Sequence, residues 1–325
     1  NQEVIATATE QMNKLTFNHM FGGKTHQVAI DLADKLASMI PMDDAVISFG
    51  NSGSDANDTH IKLLRYYHEA IGKPERRKII ARDRSYHGVT VAAASLTGLP
   101  VTQNHFDLPV DALGILRTDH PHYYRGKQGN ETETEFVDRI VGNLEEMILK
   151  EGPETIAAFI AEPITGASGV IVPPEGYYQK VQTVLDRHGI MFWADEVITG
   201  FGRTGNDFGC TTMGVKSPDM MTFAKQLSSA YMPISASAVR RDVYDCMIEQ
   251  SANAGAFGHG YTYSGHPVAC AVALKVIEIY QRDEIFQKAA VTGKYLQKSL
   301  SQFRDHPLVG CLLYTSDAAD ERHCV

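Results

Sequence analysis

The 325-residue sequence predicts an α/β fold in which a mostly parallel central sheet is flanked by helices. Two observations carry that expectation. Short apolar strands alternate with helical stretches of about 12 to 18 residues for most of the length, which is the spacing of crossover units. Three of those strands finish in residues able to do chemistry, Glu162, Asp195 and Lys225. In such sheets ligands bind beyond the carboxyl ends of the strands.

The elements follow in order. "VAIDLADKLASMI" (28–40) repeats apolar residues at i, i+4 and i+8 and predicts an amphipathic helix. "DAVISFG" (44–50) predicts a strand that stops at glycine, and "SDANDTHIKLLRYYHEAIG" (54–72) a helix with Ser and Asp in its first turn. "RRKIIARD" (76–83) predicts a strand, "EFVDRIVGNLEEMILKEG" (135–152) a helix, and "TIAAFIAEP" (155–163) an apolar strand ending in a carboxylate. "GYYQKVQTVLDRHG" (176–189) predicts a helix that feeds the strand opening "MFWADEVITGFGRTG" (191–205). Two further strands, "DMMTFAK" (219–225) and "ISASAVR" (234–240), precede a long helix, "PVACAVALKVIEIYQRD" (267–283).

Composition narrows the class. With 43% hydrophobic and 21% charged residues the chain forms a core. A net charge of −9 without a basic stripe argues against nucleic acid or an anionic membrane surface as partner. No apolar run approaches the roughly 18 residues of a membrane span. Five scattered cysteines form no C-x-x-C pair and no export signal is visible, so a reduced, cytoplasmic setting is expected. The start at Asn1 suggests that the natural N-terminus is missing.

Asp195 closes an apolar strand with no basic neighbour, and an isolated buried charge is strongly disfavoured. It therefore needs a partner. "GNSGSDAND" (50–58) sets Gly53 and Ser54, with Ser52, between a strand and a helix, where first-turn amides favour an anion such as phosphate; a plain turn with a serine cap is the alternative. No G-K-[ST] follows, so it is not a Walker loop. In "RSYHG" (84–88), Tyr86 has a ring face for a planar ligand or is simply a partly buried tyrosine, and His87 reads as a structural hydrogen-bonder. Lys225 ends an apolar strand with no acidic residue within five positions, and desolvation there would make its amine a nucleophile. One chemistry needs all of these together, that of pyridoxal 5′-phosphate. It requires a lysine amine for the aldehyde, a helix N-terminus for the phosphate and a carboxylate that keeps the pyridine nitrogen protonated. Val197, two residues beyond Asp195, would share its strand face and pack on the ring. "HPH" (120–122) has no acidic or cysteine ligands clustered with it, so no metal is expected. A nicotinamide-binding reading lacks its G-x-G-x-x-G.

With these motifs in place the chain resembles the class III, PLP-dependent aminotransferases of fold type I over almost all of residues 15 to 310. "SGSDANDTHIKLLRYY", "KPERRKIIARDRSYHG", "AEPITGASGVIVPPEGYY", "ADEVITGFGRTG" and "GYTYSGHP" stand in that family's order and near its spacings. The resemblance implies that Gly53 and Ser54 hold the phosphate, Tyr86 stacks on the ring, Asp195 pairs with its nitrogen, Val197 covers the other face and Lys225 forms the Schiff base. Thr262, with Tyr261 before it, would reach across a homodimer interface to the neighbour's phosphate. Ala167 stands where the 4-aminobutyrate and ornithine branch carries a carboxylate, which points to the amine:pyruvate and β-alanine:pyruvate (omega-transaminase) branch. Phe21 aligns with an aromatic pocket wall supplied by the partner chain, or is an interface core residue. Gln226, Ala230 and Ser235 depart from the pattern by standing where glycines are common, and Asp55 stands where the family more often has Glu.

The activity implied is ping-pong transfer of an amino group from a primary amine or omega-amino acid to pyruvate or another 2-oxo acid, with Lys225 as the proton carrier. The alternatives are a 4-aminobutyrate/ornithine-type or diamine aminotransferase, or a fold-sharing decarboxylase or aminomutase. The domain organisation implied is a remnant of an N-terminal segment in 1–20, a large cofactor-binding domain in 21–283 and the start of a C-terminal small domain in 284–310. The family's carboxylate-binding arginine would lie past the chain's end. From Cys311 the resemblance stops. "CLLYTSDAADE" is what one reading frame of a common transposase-end sequencing adapter encodes, so 311–325 is expected to be a non-native tail and the small domain largely missing.

Overall fold

Residues 156–161 are apolar without a polar break, and 191–195 are apolar up to the last position. Strands without alternation are those covered on both faces. Both segments become central strands, buried at every position. The structure, a computed structural model, describes residues 1–307 and 309; the adapter argument on 311–325 lies outside them.

In chain order the elements are α1 (Gln2–Lys14), α2 (Gln27–Ala37), β1 (Ala45–Gly50), α3 (Gly53–Ala70), β2 (Lys78–Arg82) and α4 (Val91–Leu96). β3 (Ile115–Thr118), α5 (Tyr123–Gly126), α6 (Glu133–Glu151), β4 (Ile156–Ala161), α7 (Tyr177–His188) and β5 (Met191–Asp195) follow. The last are α8 (Gly209–Met213), β6 (Met220–Phe223), β7 (Ser235–Arg240), α9 (Arg241–Ala254), α10 (Pro267–Arg282) and α11 (Ile285–Leu300). Seven of these, α1, α4, β3, α5, α8, α9 and α11, lie where the periodicity predicts nothing. β3 is a four-residue edge strand with only Thr118 buried, and α11 buries only Phe286. Segments with so little apolar signal are ordered by the neighbours they lean on rather than by their own pattern.

The sheet runs β1-β7-β6-β5-β4-β2-β3. β3, β2, β4, β5 and β6 pair in parallel, and β7 is antiparallel to both β6 and β1. The mostly parallel sheet holds, with one reversed strand. Residues 224–234 between β6 and β7 form no crossover helix of the kind a parallel return needs, so the chain turns back on itself. One face packs on α2, α6, α7 and α10, the other on α3, α4 and α9. Side chains alternate between the layers: Phe159 and Ala161 enter the first, Ala158 and Ile160 the second. α1 lies on α10 through Val4, Val268, Val272 and Val276.

Register places the chemistry. Ala161 pairs with Ala194, and Asp195 with Thr222. The carboxyl ends of β4, β5 and β6 are therefore level, and Glu162, Asp195 and the segment entering Lys225 leave the sheet side by side.

The core also sets an acid limit. His60 on α3 is fully buried, edge-on to Trp193 with ring centroids 5.0 Å apart, and its Nε2 meets the Met221 carbonyl at 3.0 Å. Burial pushes its pKa down from 6.5 to about 4. The unfolded ring takes up a proton that the folded ring refuses. The stability this gives is complete above pH 6.5 and is lost as pH falls towards 4, by up to about 3 kcal/mol. Urea midpoints should therefore drop between about pH 7.5 and 4.5, and His60→Leu should flatten the drop. An equally steep drop in the variant would assign the acid sensitivity to other groups.

Candidate active site

A cleft of about 400 Å³ opens at the level carboxyl ends. Its walls include six of the sequence-predicted residues: Gly53, Ser54, Tyr86, Asp195, Val197 and Lys225.

The α3 end of the cleft is built around a capping box. The Ser52 hydroxyl accepts from the Asp55 amide at 3.2 Å, and the Asp55 carboxylate accepts from the amides of Ser52 and Asn51 at 3.0 Å. Both sequence readings of this turn hold in part. Ser52 is the cap and its hydroxyl is occupied, while Gly53 and Ser54 supply first-turn amides that have no intrahelical partner. Ser54 Oγ accepts from the Val89 amide at 3.1 Å, which leaves its own proton to donate into the cleft. Glycine is required at 53 because a Cβ there would sit 2.8 Å from Val197 Cγ2. This cradle of amides and one hydroxyl, at a helix N-terminus, fits a phosphate.

Tyr86 lies half-buried on the loop after β2, and its amide donates to Glu162 Oε1 at 2.9 Å. Glu162 Oε2 accepts from the Gly166 amide at 2.9 Å. One buried carboxyl thus pins two loops, and burial raises its pKa against the opposing effect of His87. Arg82, fully buried at the end of β2, donates to the Glu162 carbonyl at 2.6 Å and to Thr165 Oγ1 at 3.1 Å, bracing the same turn.

Asp195 is 2% exposed. The partner that its sequence context calls for comes in part from the protein itself. His87 Nδ1 donates to Oδ2 at 2.8 Å, Asn57 Nδ2 to the same oxygen at 3.1 Å, and the Val197 amide to Oδ1 at 3.1 Å. Burial opposes its ionisation, but the His87 and Asn57 hydrogen bonds outweigh it and hold the carboxyl below its ordinary range. Asp195 is thus a stable anion in which one lone pair of Oδ1 remains unused. His87 is the structural hydrogen-bonder its sequence context suggests. Val197 does not share a strand face with Asp195, because β5 has ended; the turn that starts there holds it through that amide bond.

Lys225 departs most from expectation. β6 stops at Phe223, and Lys225 opens a short 3-10 turn at φ 43° instead of closing the strand. Its side chain is exposed in the single chain, so burial within this chain does not desolvate it. Ser229 (φ 48°) and Ala230 (φ 63°) continue the left-handed run. Ala230 occupies a conformation glycine would adopt freely, at a cost of about 1–2 kcal/mol. Ser235 is used: its hydroxyl donates to Asp55 Oδ1 at 3.0 Å. Gln226 accepts at both its carbonyl and its Oε1 from the Tyr280 hydroxyl.

Four predicted residues are not in this cleft. Phe21 and Tyr261 line a separate apolar hollow of about 480 Å³, where Tyr261 donates to the Asp55 carbonyl at 3.0 Å. Thr262 is exposed beside it, and Ala167 is exposed on the loop closed by the Thr165–Ile171 bridge. Conversely, Asn57 is a site residue the sequence reading passes over. Its signal was available: a polar side chain four residues after Gly53, on the helix face that carries Ala56, His60, Ile61 and Leu64. Among the described residues no group of three His, Cys, Asp or Glu side chains could hold a metal ion.

The chain is similar to several known proteins. A gamma aminobutyrate transaminase 3, chloroplastic, of Solanum lycopersicum is 49% identical over 308 residues, which cover 94% of this chain and 59% of the relative. The vanillin aminotransferase of Capsicum chinense is 47% identical, over 94% of this chain and 66% of its own. The crystal structure of the omega transaminase from Pseudomonas jessenii in complex with PMP superposes with a TM-score of 0.93 at 50% identity, over 96% of this chain and 68% of that one. The chain thus spans about six tenths of the length of the curated relatives it matches first. The pattern of the aminotransferase class-III family matches residues 1–310, and the chain belongs to that family.

Proposed function

We propose that the protein to which this chain belongs is a pyridoxal 5′-phosphate-dependent aminotransferase acting on a primary amine or omega-amino acid and a 2-oxo acid. One observation carries the reading: an amine, a stabilised carboxylate and a helix-terminal anion cradle meet in one cleft at Lys225, Asp195 and Gly53–Ser54. Bound there, the cofactor supplies an aldehyde for amines and a ring that takes up the electron pair of a deprotonated carbon. Gly53 and Ser54 hold the phosphate through two amides and a hydroxyl. Asp195 Oδ1 holds the ring nitrogen's proton, and Asp195 stays charged because His87 and Asn57 donate to its other oxygen. Tyr86 and Val197 confine the ring plane. Lys225 would anchor the aldehyde and, freed by the substrate amine, would carry a proton away from the amine-bearing carbon as general base. Water would release the donor as a ketone or aldehyde with its nitrogen left on the cofactor, and the same residues in reverse order would pass that nitrogen to the 2-oxo acid, returning the water.

The relatives include gamma-aminobutyrate transaminases, whereas Ala167 argues for the amine:pyruvate branch. Both donors are primary amines on an omega carbon, and the proposal extends to that class. A fold-sharing decarboxylase or aminomutase would differ in releasing CO₂ or keeping the nitrogen. No helix among the described residues is long and apolar enough to cross a membrane. A cytoplasmic setting rests on the free Cys210, Cys246 and Cys270; the relatives are named chloroplastic or mitochondrial.

Borohydride reduction of the cofactor-loaded protein should fix a pyridoxyl mass on the peptide containing Lys225. Its absence from that peptide would overturn the reading. For the proposed homodimer, Thr262→Ala should weaken cofactor retention. Mixing it with inactive Lys225→Ala should restore partial activity, since one site of the mixed dimer carries both lesions and the other neither. No recovery would mean that Thr262 serves its own subunit.

A further inference from the structure

The carboxylate of Asp195 is set by a chain of hydrogen bonds reaching back into the core. Trp193 Nε1 donates to Thr222 Oγ1 at 2.9 Å, and Thr222 Oγ1 lies 2.8 Å from Asn57 Oδ1. Asn57 Nδ2 then meets the His87 carbonyl at 2.7 Å and Asp195 Oδ2 at 3.1 Å. All four side chains are at most 2% exposed, so no solvent substitutes for any link.

The polarity of the chain has one solution. An indole N–H only donates, so the Thr222 oxygen must accept from Trp193 and its single proton must go to Asn57. Asn57 Oδ1 is thereby its accepting end, and its amino group faces two groups that only accept, the His87 carbonyl and Asp195. Turning the amide over would set Oδ1 against both oxygens. Asn57 consequently aims a neutral donor at Asp195 at every pH. His87 Nδ1 also donates to Asp195, and its buried Nε2 has no hydrogen-bond partner.

The β5–β6 register makes the arrangement possible, because Asp195 and Thr222 are paired residues while Trp193 sits one pleat back on the same face. α3 brings Asn57 over that pair.

We infer that Thr222 is a positioning residue: through Asn57 it fixes the Asp195 carboxylate so that Oδ2 is saturated and Oδ1 is left to hold the protonated ring nitrogen. The inference rests on the proposed cofactor and deepens it. Thr222→Val keeps the shape and removes the hydroxyl, leaving Asn57 Oδ1 without a donor and free to rotate away from Asp195. The affinity for pyridoxal 5′-phosphate should fall about tenfold, the loss expected for one buried hydrogen bond. With ¹⁵N-labelled cofactor, the ring-nitrogen signal should move towards its unprotonated position.

Thr222→Ser should restore both readouts. Trp193→Phe supplies the contrast. It opens a core void but leaves Thr222 able to donate, so it should lower the melting temperature more than Thr222→Val while disturbing the ring nitrogen less. A wild-type protein that takes up no borohydride-fixable cofactor would sink the parent reading. A wild type that does, together with a Thr222→Val variant whose ring-nitrogen signal and affinity match it, would sink the relay alone. So would a Trp193→Phe variant with the larger ring-nitrogen change, since packing rather than polarity would then set Asp195.

Discussion

Holding Asp195 as an anion inside the sheet is the demand the rest of the site is arranged to meet. A lone carboxylate at 2% exposure would neutralise or unfold its surroundings, and the idealised cost of burying such a charge far exceeds the stability of a domain. Three donors from three elements prevent this: Asn57 from α3, His87 from the loop after β2 and the Val197 amide from the turn after β5. Each must arrive within hydrogen-bond reach of two oxygens. The level strand ends and the packing of α3 on β6 and β7 therefore fix the site as much as they fix the fold. The same three elements carry the rest of the cleft. α3 begins with the anion cradle, the loop after β2 bears Tyr86, and the turn after β5 presents Val197 to Gly53.

Next to this rigid floor is a strained edge. Between β6 and β7 the backbone takes positive φ at Lys225, Ser229 and Ala230, none of them glycine. Such conformations persist only where the surroundings over-determine them. Here Leu227 and Ser228 are buried, the Ser228 hydroxyl donates to the Met232 carbonyl at 2.6 Å, and Tyr280 of α10 grips Gln226. The turn is held from beneath while Lys225 and Ala230 face the cleft. In the proposed reaction Lys225 would exchange partners, and a turn suits that better than the strand, whose ladder would tie its backbone to the neighbour.

How much of this could be read from the sequence depends on the range of each interaction. Glu162 and Asp195 were legible because an apolar run ending in a carboxylate is a local pattern, and the parallel sheet followed from local alternation. The Gly53–Ser54 turn was legible for the same reason. Thr222 and Asn57 were not, since their importance comes from a pairing 165 positions apart in the chain. The strand expected to reach Lys225 ended two residues early because the return to β7 has to begin there, a constraint imposed by topology. α9 and α11 escaped because their order depends on neighbours. The adapter reading of 311–325 rests on a match to an encoded reading frame and lies outside the described residues.

Phe21, Tyr261 and Thr262 illustrate a different limit. The resemblance points them towards a neighbour's site, and within one chain Phe21 and Tyr261 line an apolar hollow apart from the cleft, with Thr262 exposed next to Tyr261 in the chain. Asp55 nevertheless links the two regions. Asp55 uses its carboxylate to cap the first turn of α3 and to accept from Ser235, while its carbonyl accepts from Tyr261. The turn that bears Gly53 and Ser54 is consequently held on one side by β7 and on the other by the 261 segment of its own chain. Aspartate suits that position, because its short side chain reaches the Ser52 amide and Ser235 at once. Whatever Thr262 does across an interface, Tyr261 already supports the anion cradle from behind, so displacing the 261 segment would disturb the cradle of the chain that owns it.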